Sequence, residues 1–196
     1  MGDGLSGTLA DELTGDVGAP DTAVMRTIRE LFVREEPLVE SATFDSALAP
    51  QELRVEFADG IEAATRCRLD VTWYATGAYR FHYTDDADVD WGFDRHPNDH
   101  SPEKHFHAPP AAESESALRS CIEVEEARLV ARAILKLRCR AYDTRFAGAV
   151  ERRTKSAVNS SELPIPPRAR GPDCGRYVSA TATSSYSSPS TPLRST

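Results

Sequence analysis

Between residues 64 and 93 apolar and polar side chains alternate with a period of two, and this pattern constrains the fold more than any other feature of the chain. Over residues 64–74, Cys67, Leu69, Val71 and Trp73 fall on one side, and Arg66, Arg68, Asp70 and Thr72 on the other. The turn Ala75-Thr76-Gly77-Ala78 leads to a second strand, with Tyr79, Phe81 and Tyr83 opposite Arg80 and His82. Asp85, Asp86 and Asp88 mark the next turn, after which Val89, Trp91 and Phe93 alternate again. Strands joined by short turns predict an antiparallel meander with one apolar and one polar face. The aromatics read as core rather than as a platform for stacked bases, because they share their face with Leu69 and Val71.

The flanks complete an α+β domain over residues 21–145. After Pro20, Asp21 or Thr22 caps a helix whose Val24, Ile28, Leu31 and Phe32 follow helical spacing, and Pro37 ends it. Leu53, Val55 and Phe57 alternate as an earlier strand, and Asp59-Gly60 signals a hairpin. From Ser116 to Leu137, apolar residues at Leu118, Ile122, Leu129, Val130, Ile134 and Leu137 predict a long helix. Packed on one face of the sheet, that helix closes the core. Glu123, Glu125 and Glu126 fall on its solvated side, and Arg132, Arg138 and Arg140 suit the dipole at its C-terminal end. Residues 1–20 have no period and read as a disordered N-terminus. Residues 146–196 read as a disordered, basic tail: prolines break it at Pro164, Pro166 and Pro167, and 11 of its last 20 residues are Ser or Thr.

Charge follows the same division. The net charge of −8 combines 27 acidic and 10 basic side chains in residues 1–127 with 4 acidic and 13 basic in residues 128–196. Only three basic residues are lysine, which together with the acidic first part fits a salt-adapted cytoplasm. At molar salt the Debye length is about 3 Å, so the acidic excess does not argue against a polyanionic partner. Cys67, Cys121, Cys139 and Cys174 are scattered without CxxC spacing, as in a reduced cytoplasmic protein. No secretory signal or apolar run of membrane-spanning length is expected, and hence no membrane partner.

All five histidines lie within residues 82–107: His82, His96, His100, His105 and His107. The run Asp94-Arg95-His96-Pro97-Asn98-Asp99-His100-Ser101-Pro102-Glu103-Lys104-His105-Phe106-His107 begins where the third strand of the meander ends, and proline-punctuated sequence predicts a loop carried by the sheet. Three readings compete. In the first, His96, His100, His105 and His107 act with Asp94 as acid and base on RNA, since imidazole titrates near neutrality. Arg95, Arg80, Arg66 or Arg68 then stabilises the charge that builds around phosphorus, and Arg66, Arg68, Arg80 and His82 hold the strand. In the second, a metal- or ligand-binding module without catalytic activity, His105 and His107 place two rings on one side of an extended segment. His96, His100 or Asp94 then completes a divalent-metal shell. In the third the histidines only hydrogen-bond the loop. The spacing matches no standard zinc module, and the first two readings need a cofactor of, respectively, none and a divalent metal.

Two stretches bear a family resemblance. Tyr79-Arg80-Phe81-His82-Tyr83, followed by Trp91-Gly92-Phe93-Asp94-Arg95-His96-Pro97-Asn98-Asp99-His100 and then His105-Phe106-His107, resembles the TumE-type toxins of bacterial and archaeal toxin–antitoxin pairs. The similarity spans about residues 53–137, and the central thirty or so carry its specificity; the composition points to a diverged, halophilic archaeal branch. The resemblance implies a small toxin acting on RNA, neutralised by a cognate DNA-binding antitoxin; with the histidine reading above, the expectation is a ribonuclease.

Overall fold

The computed structural model describes residues 17–97 and 101–150. The predicted termini therefore fall largely outside the described residues, and His100 does so entirely. Helix α1 (Thr22–Glu35) starts where the Asp21 carboxylate accepts a hydrogen bond from the Val24 N–H at 3.0 Å. Its Met25, Ile28, Leu31 and Phe32 form one buried stripe. The Asp21 N–H donates to the Trp73 carbonyl at 2.7 Å, which pins the start of the helix to the sheet.

The sheet has seven antiparallel strands in sequence order: β1 (Val39–Phe44), β2 (Leu53–Phe57), β3 (Cys67–Trp73), β4 (Tyr79–Asp85), β5 (Asp90–Arg95), β6 (Lys104–His107) and β7 (Leu118–Arg119). One face is covered by α1 and by α2 (Ala127–Thr144), and it holds the core. Its aromatic side chains pair across strands: Trp73 stacks on Tyr79 and Tyr83 on Trp91, each pair with ring centroids 5.0 Å apart, and Phe93 meets Phe106 at 4.6 Å. All are buried, as the alternation predicts.

Two elements differ from the sequence expectation. Residues 117–126 are not helical: α2 begins at Ala127, where the Glu126 carboxylate caps the N–H groups of Arg128 and Leu129 at 3.0 and 3.1 Å. Leu118 and Ile122 mimic helical spacing, but Leu118 and Arg119 pair instead with the outer edge of β6, satisfying its backbone (Phe106↔Leu118, His105↔Arg119). Arg138 does not serve the helix end either. It is fully buried, with its guanidinium 3.9 Å above the Phe57 ring, donating to the Asp59 carbonyl at 2.7 Å and lying 3.7 Å from the Glu36 carboxylate. Arg132 crosses between the helices to Glu35, at 2.6 and 2.9 Å.

Asp59-Gly60 does not close a tight hairpin; it opens a longer connection in which the Gly60 N–H donates to the Ala64 carbonyl at 3.2 Å. A Cβ on Gly60 would lie 2.5 Å from the Ala64 Cβ and 2.8 Å from its carbonyl oxygen, so the backbone would have to move. Gly60→Ala is expected to lower stability by about 1–3 kcal/mol, the usual scale for overpacking, measured by urea denaturation.

Candidate functional site

The uncovered face of the sheet is polar, and strand register sorts its residues into rows. One row runs Asp70, His82, Gly92, His107 across β3 to β6; the next runs Thr72, Arg80, Asp94, His105. Asp94 is thereby flanked by an arginine and a histidine, and Gly92 by two histidines. His105 and His107 lie on strand β6 rather than on a loop. Their backbone completes the sheet edge, and their spacing of two puts both rings on the polar face while Phe106 enters the core.

Asp94, His105 and His107 converge. Asp94 is 4 % exposed, His105 2 % and His107 7 %, and one potential ligand atom from each lies within 4.8 Å of the others. The His107 Nε2 is 3.2 Å and the His105 Nε2 3.9 Å from the same Asp94 Oδ2. Each ring turns its other nitrogen to a backbone carbonyl: the His105 Nδ1 to Pro102 O at 2.9 Å, and the His107 Nδ1 to Glu113 O at 3.4 Å. The second oxygen of Asp94, Oδ1, is buried and accepts no hydrogen bond among the described residues. Burial works against charge on Asp94, but the His107 hydrogen bond and the neighbouring Arg80, His107 and His105 outweigh it and hold the carboxyl below its usual range. Burial pushes the His105 imidazole down, against the pull of Asp94. His96 stands edge-on to His105, with ring centroids 4.8 Å apart.

A cavity of about 180 Å³ opens beside this group, lined by Arg80, His82, Asp90, Gly92, Asp94, His107 and the 111–114 segment. Gly92 makes room for it: a Cβ there would press on the Phe81 carbonyl oxygen at 3.2 Å and stand between the His82 and His107 rings, 3.8 Å from each. Arg80 is half-buried and makes no ion pair or hydrogen bond among the described residues, although a cation at a cavity wall normally takes a carboxylate. His82 lies 3.7 Å from the Asp90 carboxylate.

The other candidates stand elsewhere. Arg95 shares the side of β5 that carries Trp91 and Phe93, opposite Tyr79 of β4, and it pairs with Glu103 at 2.8 Å and Glu125 at 3.5 Å. Its parity with Trp91 and Phe93 was the sequence signal for this placement. Arg68 is paired with Asp70 at 2.9 Å and the exposed Arg66 with Asp86 at 3.4 Å, along β3 and outside the cavity. Sequence reasoning missed Gly92 and Asp90 as cavity residues; the signal was again parity, since both alternate with Trp91 on the same side as Asp94.

The fold and site thus define a small α+β protein whose helices seal one face of a meander, and whose other face carries a buried histidine–aspartate group beside an arginine that makes no ion pair among the described residues. A family model described as toxin TumE matches residues 28–141, more than half of the chain, from within α1 to the last turns of α2. The chain belongs to the toxin TumE family and is a toxin-like protein. The match extends the resemblance read from the sequence to include most of α1 and the first strand. No curated protein and no solved structure matches the chain. Among the described residues, no helix is long and apolar enough to cross a membrane.

Proposed function

We propose that this chain is an RNA-directed toxin, a ribonuclease that cleaves the phosphodiester backbone at the polar-face cavity. The observation that carries the reading is Arg80, a guanidinium that makes no ion pair or hydrogen bond among the described residues, on the wall of a cavity that also presents imidazoles. A cavity-wall arginine so placed suits an anionic ligand, and its fork matches two phosphoryl oxygens.

Three roles are needed. His82 takes the proton of the ribose 2′-hydroxyl as that oxygen attacks phosphorus. Arg80 neutralises the charge gathering on the phosphoryl oxygens. The third role, protonation of the 5′-oxygen as its bond to phosphorus breaks, falls to water in the cavity, and His82 gives its proton back to solvent, leaving a 2′,3′-cyclic phosphate and a 5′-hydroxyl end. His96, His100, Arg66 and Arg68 are outside this set of roles, and of the arginines first offered for the charge-stabilising role Arg80, not Arg95, takes it. The protein partner in this reading is a cognate antitoxin, and the setting is the cytoplasm of a salt-adapted cell.

His82 suits the part of base. Burial and the Arg80 charge beside it on β4 push its imidazole below its usual 6.5, against Asp70 of β3 and Asp90 and Asp94 of β5, so the ring is neutral at pH 7. Cleavage is expected to rise with pH through a midpoint below 6.5 and then level off. His82→Asn is expected to remove that limb and lower the rate about 10²–10⁴-fold, the usual share of a general base. The decisive experiment is induced expression without an antitoxin, followed by growth and total RNA. Growth arrest with RNA ends of the stated kind supports the reading, and intact RNA with unchanged growth overturns it.

A further inference from the structure

Asp94, His105 and His107 gather three candidate ligand atoms within 4.8 Å of one another in a buried space. A carbonyl oxygen only accepts, so the 2.9 Å contact to Pro102 O places a hydrogen on His105 Nδ1 and leaves its Nε2 lone pair 3.9 Å from Asp94 Oδ2. His107 Nε2, 3.2 Å from the same oxygen, hydrogen-bonds it in one tautomer; in the other, with the hydrogen on Nδ1 toward Glu113 O at 3.4 Å, it presents a second lone pair. Protonating both rings would set two imidazolium ions, with centroids 4.9 Å apart, against one carboxylate. The buried Asp94 Oδ1, which accepts no hydrogen bond among the described residues, adds a further donor atom at the same point.

We propose that Asp94, His105 and His107 form a binding site for one divalent transition-metal ion. Two imidazoles and a carboxylate suit zinc, manganese or iron better than calcium or magnesium, which prefer all-oxygen shells. Bonds of about 2.0–2.2 Å give ligand-to-ligand edges of about 3.0–3.5 Å, so the 3.2 Å edge is already correct, the 3.9 Å edge must close by about half an ångström, and the edge between the two imidazole nitrogens, within 4.8 Å, must close by up to about an ångström or more. The carbonyls on the two Nδ1 atoms supply the outer hydrogen bonds that hold metal-binding histidines in one tautomer. Three protein ligands leave positions open toward the cavity where Arg80 stands, as in catalytic rather than structural sites. Binding of the ion does not depend on the substrate. Its part in the reaction, as the centre that stabilises the departing 5′-oxygen, rests on the RNA reading above.

The test is calorimetric titration of the metal-stripped full chain with Zn²⁺ and, separately, Mn²⁺. One ion per chain is expected, with Asp94→Asn and His107→Ala each weakening binding at least 10-fold and His96→Ala leaving it within about threefold. Circular dichroism of each variant checks that it folds. Pulsed EPR of the Cu²⁺-loaded wild-type chain is expected to report two coordinated imidazoles, a readout that needs no variant. Absence of saturable binding, affinity unchanged in Asp94→Asn, or no imidazole signal overturns the site. Cleavage of RNA by stripped protein that binds no metal would remove the metal site and leave the RNA reading standing. Stoichiometric binding by a chain that leaves RNA intact would do the reverse.

Discussion

Arg80→Ala is expected to reduce RNA cleavage by about 10²–10³-fold, with a matching loss of toxicity, while changing stability by about 1 kcal/mol or less. The size of the first effect follows from the role: a preorganised cation aimed at the phosphoryl oxygens acts in a partly water-excluded cavity, where its field is weakly screened. The smallness of the second follows from the contacts. Arg80 makes no hydrogen bond or ion pair among the described residues, so its removal breaks no such bond, and Asp94, which loses one neighbouring cation, keeps His105 and His107 beside it. Arg80→Lys keeps the charge but loses the fork, and is expected to recover part of the rate. Cleavage assays on a defined oligoribonucleotide, beside urea denaturation of the same preparations, separate the two effects. Full activity in Arg80→Ala would remove the phosphate role, and a large loss of stability would make Arg80 a structural residue.

Arg138→Ala is expected to destabilise the fold by about 3–5 kcal/mol, the scale for breaking a buried charge pair by removing one member. Arg138 is 0 % exposed and Glu36 1 %, and they meet at 3.7 Å between the two helices. Without the guanidinium, the Glu36 carboxylate loses its nearest cation, the Asp59 carbonyl loses its donor and the Phe57 ring loses the group stacked on it. Arg138→Met keeps the volume but not the charge and should cost nearly as much. Adding Glu36→Leu to Arg138→Met should recover part of the loss, because a buried ion pair replaced at both ends by apolar groups is often neutral. Recovery stays incomplete, since the Glu36 carboxylate also accepts the Leu38 N–H at 2.9 Å. Urea denaturation of the three variants reads all of this, and a cost below about 1 kcal/mol for Arg138→Ala would show that the pair contributes little.

These two arginines also mark what can be read from a linear chain. Alternation with a period of two is a local property, and the sequence by itself determined the strands at 53–57, 67–73, 79–85 and 90–95, the burial of Trp73, Tyr79, Phe81, Tyr83, Trp91 and Phe93, and a polar opposite face. The same parity, followed one residue further, already sets Arg95 apart from Asp94. The clustering of the histidines along the chain is likewise a sequence fact. Which of them meet is not, because that depends on register between strands, and a slip of one residue would turn every side chain to the other face. Register alone sets Asp94 between Arg80 and His105, and Gly92 between His82 and His107. Helical spacing at Leu118 and Ile122 misled for the same reason: the edge of β6 offered those residues backbone partners that no local pattern reveals. Arg138 looks in sequence like a cation at a helix end. Only the packing of α2 against α1 and the sheet, which brings Glu36 from the end of α1 and Phe57 from β2 to it, decided that it is buried.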